Sequence, residues 1–351
     1  MKKTGYLLFA VLLFISCSKD NTPNPFDPNA PKPKPVASRA ASIGIIGDTT
    51  DVKTTTKGGI VIMGGGTDVD AALKWMIERS GGGNVVVLRS TGTDAYNAYI
   101  KALGAVQSVE TLKIDSRKLA DDPAVAHVIR NAELLFIAGG DQADYVGYWK
   151  GTKVMAAINY LLNEKKIPVG GTSAGAAILG NYYFGAEYGA LESSEALANP
   201  YSPKVNLGKD DFLKVPFLQT CITDQHFTQR NREGRSTVFL ARIMKDWGIA
   251  ARGIAVDERT AVCVDENGVA EILGTNKAFF FKADASKKPE ILASNQAVTW
   301  NQSGKALQVW SISAGTSSSK FNMLTFEPQV TAGAEPFWWS IVNGVWSQRA
   351  R

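Results

Sequence analysis

From Gly58 onward the chain alternates short apolar runs with longer stretches whose apolar residues recur three and four positions apart. Ile60-Val61-Ile62-Met63, Val85-Val86-Val87-Leu88, Thr111-Leu112-Lys113-Ile114, Leu134-Leu135-Phe136-Ile137 and Ile167-Pro168-Val169 read as strands. Val69 to Glu78, Tyr96 to Leu103 and Val154 to Asn163 carry helical spacing between them. This strand–helix order predicts an α/β fold with a parallel sheet covered on both faces. Functional loops are expected at the carboxyl ends of its strands. Beyond Leu273, Ala278-Phe279-Phe280-Phe281-Lys282, Ala297-Val298-Thr299-Trp300 and Leu307 to Ile312 suggest further strands. A catalytic unit over 58–275 is therefore expected, with a β-rich portion over 276–351 that continues or caps it. Trp338, Trp339 and Trp346 near the C-terminus suit either a structural cap or an aromatic surface-binding patch.

The first residues have a different character. Lys2 and Lys3 precede an apolar run, Tyr6 to Ile15, that is too short to span a bilayer, and this reads as a secretory signal over 1–16. The run ends Leu13-Phe14-Ile15-Ser16-Cys17, which resembles a bacterial lipobox, so Cys17 is expected to carry lipid. An extracytoplasmic protein, lipid-anchored to the outer membrane or cell surface, follows. Six of the fourteen prolines fall between Pro23 and Pro35, so 17–57 is expected to be a semi-rigid tether.

The formal charge of +5 falls to +3 once Lys2 and Lys3 leave with the signal, too small a total for a nucleic-acid partner. Of the three cysteines, Cys221 and Cys263 remain beside Cys17, both in apolar strand-like runs that suggest buried free thiols, with a disulfide as the alternative. No His/Cys cluster has metal-ligand spacing, so neither a metal nor a cofactor is expected.

Three local patterns carry chemistry. Gly171-Thr172-Ser173-Ala174-Gly175 leaves a strand and enters a small-residue helix, the form of a nucleophile elbow. Small neighbours let Ser173 project from a sharp turn, and the following helix aims its first N–H groups at an oxyanion. A serine nucleophile needs a base near neutrality, and only two histidines exist. His127 lies in a short helix capped by Asp122 and reads as a surface or boundary residue; His226, at the polar tip of Leu218 to Phe227, is the candidate base. Arg230, Arg232 and Arg235 then open a helix running from Ser236 to Lys245. Cations are disfavoured at a helix start, so three of them there point to an anionic ligand. Gly64-Gly65-Gly66 after the first strand of the unit lacks the spacing of a phosphate-binding loop and reads as a tight turn bordering the site.

Together, Gly139-Gly140-Asp141-Gln142, Gly170 to Ala176, Asp224-Gln225-His226-Phe227 with its arginines, and Gly253 to Ala261 resemble the cyanophycinase family. That family of serine peptidases also contains dipeptidase E, and the likeness runs in matching order from about Gly58 to Leu273. It implies a three-layer α/β sandwich of the class I glutamine amidotransferase-like type, and a homodimer. It also implies Ser173 as nucleophile, His226 as general base, and an oxyanion held by the N–H of Ala174 and one from the Gly140-Asp141 turn. Gln142, Asp224, Gln225, Arg230, Arg232 and Arg235 resemble residues that shape the pocket and hold substrate. For the third triad member the resemblance implies an acidic residue between nucleophile and histidine: Glu192, with Glu195 as competitor.

The substrate so implied is cyanophycin, a poly-aspartate with arginine on each β-carboxyl, cut in its backbone to β-Asp-Arg dipeptides through an acyl-enzyme. Alternatives are other aspartyl peptides cut by the same triad, and a surface lipoprotein that binds acidic ligands without catalysis. An esterase of the α/β-hydrolase kind is disfavoured: its histidine belongs near the end of the fold, and no upstream His-Gly oxyanion motif is present.

Overall fold

The structure is a computed structural model and describes residues 40–315, 320–329 and 333–351. The expected signal, the lipid-bearing Cys17 and the Pro-rich segment lie outside the described residues. No described helix is long and apolar enough to cross a membrane.

The first half follows the alternation read from the sequence. Strands β1 (Ser42–Gly47), β2 (Gly59–Met63), β3 (Asn84–Arg89), β4 (Ser108–Lys113), β5 (Leu134–Ile137) and β6 (Pro168–Thr172) are interleaved with helices. These are α1 (Asp70–Ser80), α2 (Ala95–Leu103), α3 (Arg117–Ala120), α4 (Pro123–Asn131), α5 (Gln142–Trp149) and α6 (Lys153–Tyr160), the last running into a π-helical turn, Leu161–Lys165. Strands β4, β3, β5, β6 and β2 lie side by side and parallel. They are sandwiched between helices, which is why their sequences are unbroken apolar runs rather than alternating ones. One face packs on α1 and α2 through Leu73, Met76, Ile77 and Ile100. The other packs on α4, α5 and α6 through Val125, Ile129, Tyr145, Trp149, Val154 and Ile158. Local signals set the helix ends: Asp122 caps α4 by accepting from Ala124 N–H, and Gly81 closes α1 in the left-handed region at φ 64°.

The second half adds α7 (Ala174–Ala177), β7 (Tyr182–Phe184), α8 (Ser193–Ala198), β8 (Leu207–Lys209), β9 (Cys221–Gln225), α9 (Glu233–Trp247), β10 (Arg252–Val256), β11 (Thr260–Asp265), β12 (Val269–Gly274), β13 (Lys277–Ala283) and β14 (Leu307–Ser313). It closes with β15 (Lys320–Asn322), β16 (Glu327–Pro328), β17 (Ala334–Val342) and β18 (Val345–Ala350). Strands β11, β12, β15 and β16 extend the first sheet by antiparallel pairing from β2. The others form a second sheet in the order β18-β17-β14-β13-β10-β9-β7-β8. Helix α9 packs on this sheet through Val238, Phe239 and Leu240, against Ala255, Phe279, Phe281 and Trp339.

Two expectations are corrected here. The tether does not reach residue 57, because Ser42–Gly47 forms an antiparallel edge strand against β4. The proline run stops at Pro35, and the β-branched Ile43, Ile45 and Ile46 that follow favour a strand. Ala297 to Trp300 is not a strand but a pair of isolated bridges, Ile291 to Thr299 and Trp300 to Ile341. The β-rich C-terminal portion joins the catalytic unit through a second sheet, because β9 and β10, within the first 275 residues, lie in one sheet with the C-terminal strands. Trp339 is fully buried and stacks on Phe227 at 6.0 Å between ring centroids, so this tryptophan is a structural element of the core. Cys221 and Cys263 are free and buried, and burial pushes the Cys221 thiol up to about 12.

Candidate active site

Ser173 stands at the end of β6 and immediately before α7, at φ 51° and ψ −118°. A serine at positive φ is a strained elbow, and its surroundings show why only small residues fit. A Cβ on Gly171 would lie 2.5 Å from the backbone carbonyl of Gly175, and one on Gly175 would lie 2.2 Å from the carbonyl of Ile137. The elbow therefore closes on backbone from both sides.

The Oγ of Ser173 lies 2.7 Å from Nε2 of His226. Nδ1 of His226 lies 2.6 Å from Oε1 of Glu258. The three residues come from three places in the fold: Ser173 from the first sheet, His226 from the end of β9 in the second, and Glu258 from the connection between β10 and β11, where the chain crosses between the sheets. Strand β2 ties them together at its carboxyl end. Successive carbonyls of Met63, Gly64 and Gly65 accept from the N–H groups of Ser173 at 3.1 Å, His226 at 2.7 Å and Arg259 at 2.9 Å. This is the work of the Gly64-Gly65-Gly66 turn. A Cβ on Gly65 would sit 2.4 Å from Cε1 of His226, and Gly65 has φ +92°.

The expected third member is corrected: neither Glu192 nor Glu195 reaches the histidine. Glu192 is the exposed N-cap of α8 and shares a reciprocal capping box with Glu195, whose carboxylate also holds Lys204 at 2.6 Å. The Ser193 hydroxyl accepts from Arg235 N–H at 3.1 Å, so this segment braces the start of α9 instead. Glu258 stood in plain view in Gly253 to Ala261. The missing signal was spatial: β9 and β10 are parallel neighbours with Gln225 opposite Val256, so the residues just past each strand end meet.

The arginines divide in the same way. Asp224 is 4% exposed and accepts from Arg235 Nε at 3.0 Å, Arg235 Nη2 at 2.5 Å, Ser236 Oγ at 2.6 Å and Arg232 Nη1 at 3.4 Å. Burial alone would raise its carboxyl; the guanidiniums of Arg235 and Arg232 outweigh this and hold it below the usual carboxylate range. Arg235 also donates to Leu191 O at 3.1 Å and is 2% exposed. Asp224 and Arg235, expected to hold substrate, are thus spent on each other inside the protein. Arg232 donates to Gln225 O at 2.7 Å, and burial pulls its guanidinium down to about 10. Arg230 alone is exposed and has no side-chain partner among the described residues.

Burial pushes the His226 imidazole below its ordinary value, and Arg230 and Arg232 push the same way, while the Glu258 hydrogen bond opposes them. The histidine is therefore neutral near pH 7, the state in which Nε2 accepts a proton. On the far side of the elbow, a Cβ on Gly139 would lie 3.4 Å from the Ser173 Cβ. Tyr145 Oη donates to Ala138 O and Gly139 O at 2.9 and 3.1 Å and fixes the Gly139-Gly140 turn. Asp141 Oδ1 caps α5 through Ala143 N–H at 2.9 Å, and Gln142, half-buried, begins that helix. Gln225 is buried beside His226 at the end of β9. His127 is exposed on α4, beside Asn131. Among the described residues no group of three or more His, Cys, Asp or Glu side chains is placed to hold a metal.

Residues 88–272 match the model of peptidase family S51. The chain belongs to this family. Its S51 region is similar to the cyanophycinase of Geminocystis herdmanii (strain PCC 6308), 25% identical over 181 residues, or 52% of this chain and 60% of that one. It is also similar to the cyanophycinase of Thermosynechococcus vestitus (strain NIES-2133 / IAM M-273 / BP-1), 28% identical over 209 residues, or 56% of this chain and 58% of that one. The chain thus matches about 60% of the length of these curated relatives. A crystal structure of a peptidase from an acI-B1 Actinobacterium superposes with a TM-score of 0.50 at 15% identity, covering 76% of this chain and 98% of that one. This last likeness shows a shared α/β fold.

Proposed function

We propose that the protein is a serine peptidase that hydrolyses peptide bonds through an acyl-enzyme on Ser173. The continuous hydrogen-bonded line from Ser173 through His226 to Glu258 carries this reading. Ser173 Oγ attacks the scissile carbonyl as His226 Nε2 takes its proton. The same imidazole returns that proton to the leaving amine, then activates the water that releases the acyl group. Glu258 holds Nδ1–H, fixes the tautomer and stabilises the imidazolium. In this reading the N–H groups of Ala174 and of the Gly140-Asp141 turn bind the oxyanion.

For the substrate, we propose cyanophycin, cut to β-Asp-Arg dipeptides. The exposed Arg230 beside His226, without a side-chain partner among the described residues, favours a substrate bearing carboxylates, and the likeness to cyanophycinases supports the polymer itself. A lipid on Cys17 would hold the enzyme outside the cytoplasm and suit it to polymer released by other cells. Incubating the purified protein with cyanophycin, beside the Ser173→Ala variant, tests the proposal by mass spectrometry. Dipeptide released by the wild type alone is the expected result. Cleavage of other aspartyl peptides but not the polymer would keep the peptidase and change its substrate.

A further inference from the structure

The side chain of Glu258 is 32% exposed, so packing alone does not fix its carboxylate against His226. Its position depends on the backbone that carries it, and that backbone is anchored from both sides. The Glu258 N–H donates to Gln229 Oε1 at 2.9 Å, and its carbonyl accepts from Asn276 Nδ2 at 2.8 Å. Gln229 is itself oriented, since its Nε2 donates to Thr228 Oγ1 at 3.1 Å. Thr228 in turn donates through both N–H and Oγ1 to Asp257 Oδ1, at 2.9 and 2.8 Å. Asp257 is 3% exposed, and its other oxygen accepts from Lys277 N–H at 3.3 Å.

Two dipeptides are thereby laced across the gap between the ends of β9 and β10. Thr228 meets Asp257, and Gln229 meets Glu258. Both dipeptides are short chain distances from the histidine–carboxylate pair: His226 begins the first loop and Glu258 is the middle residue of the second. We infer that Gln229 is a positioning residue, which sets the Glu258 carboxylate on Nδ1 of His226 by holding the Glu258 backbone N–H. The inference rests on the serine-hydrolase reading of the triad, and it adds a residue whose side chain hydrogen-bonds to neither Ser173 nor His226 among the described residues. Gln229 is exposed and has no other side-chain partner among the described residues, so its loss costs the fold little. A misplaced carboxylate leaves the imidazole free to turn, and a displacement of about 1 Å at a reacting group costs up to about 100-fold in rate.

Proton NMR of the purified full chain reads the contact directly, through the downfield resonance of the His226 Nδ1–H bound to Glu258. The rate at which a fluorophosphonate labels Ser173 reads its consequence without any assumption about substrate. Gln229→Ala is expected to broaden or shift that resonance and slow labelling by about tenfold or more, at unchanged thermal stability. Gln229→Glu keeps an acceptor for the Glu258 N–H at the same reach but loses the donor to Thr228 Oγ1, and is expected to recover part of both. A Gln229→Ala protein with the wild-type resonance and labelling rate overturns the inference. Wild-type protein that labels no faster than Ser173→Ala overturns the hydrolase reading instead, and the resonance then decides the role of Gln229 by itself.

Discussion

Gly65 lies against the ring of His226 so closely that a Cβ there would sit 2.4 Å from Cε1 and 2.5 Å from Nε2. The glycine turn after β2 is therefore part of the histidine's seat, in addition to hydrogen-bonding two of the three segments of the site, the third being held by Met63 at the end of β2. Gly65→Ala is expected to displace the imidazole from Ser173 and lower turnover by about 100-fold. Gly151→Ala is the control: Gly151 also has positive φ, +75°, but a Cβ there meets nothing within 4 Å. That variant carries only the backbone cost, about 1–2 kcal/mol, and keeps its activity.

The choice of carboxylate is tested by a pair of conservative changes. Glu258→Gln keeps the shape but presents no charge to the imidazolium and favours the wrong tautomer, so kcat should fall by about 10⁴-fold. Glu192→Gln touches only the cap of α8 and should leave kcat as it is. Steady-state kinetics on one peptide substrate separates the two.

Asp224 and Arg235 are predicted to matter for stability more than for substrate affinity. Asp224→Asn leaves the Arg235 guanidinium buried without its countercharge, which costs about 3–5 kcal/mol. Urea denaturation should show this loss. A large rise in KM with unchanged stability would instead return these residues to the substrate pocket.

The lowered His226 value fixes the sign of the pH dependence. The base must be neutral to act, so kcat/KM should hold at neutral pH and fall on acidification with a midpoint below the ordinary 6.5. Removing a neighbouring cation favours the protonated form. Arg230→Gln should therefore move that midpoint upward, whereas Glu258→Gln, which removes the opposing hydrogen-bonded anion, should move it down. A pH–rate series on the three proteins measures both directions.

Much of this site is legible along the chain because it depends on local geometry. The Ser173 elbow needs small residues on either side, and a parallel strand buried on both faces needs an unbroken apolar run. Both leave marks within a few positions. The Asp224–Arg235 pair and the Glu258 contact leave none: the first is made eleven residues apart where α9 packs back on β9, and the second thirty-two residues apart where β9 and β10 pair. The same holds for Trp339, whose partner Phe227 follows the histidine: its burial against the second sheet ties the C-terminal segment to the site loop. A charged triplet at a helix start looked like one ligand-binding group. Burial splits it, leaving the guanidiniums of Arg232 and Arg235 facing inward to Asp224 and that of Arg230 facing solvent.

The most direct test of the triad is covalent labelling of the purified protein with a fluorophosphonate, followed by peptide mapping. Ser173, activated by His226 and Glu258, predicts one adduct per chain on the peptide containing Ser173, and none in His226→Ala. An adduct on another residue, or equal labelling of the His226→Ala protein, would contradict it.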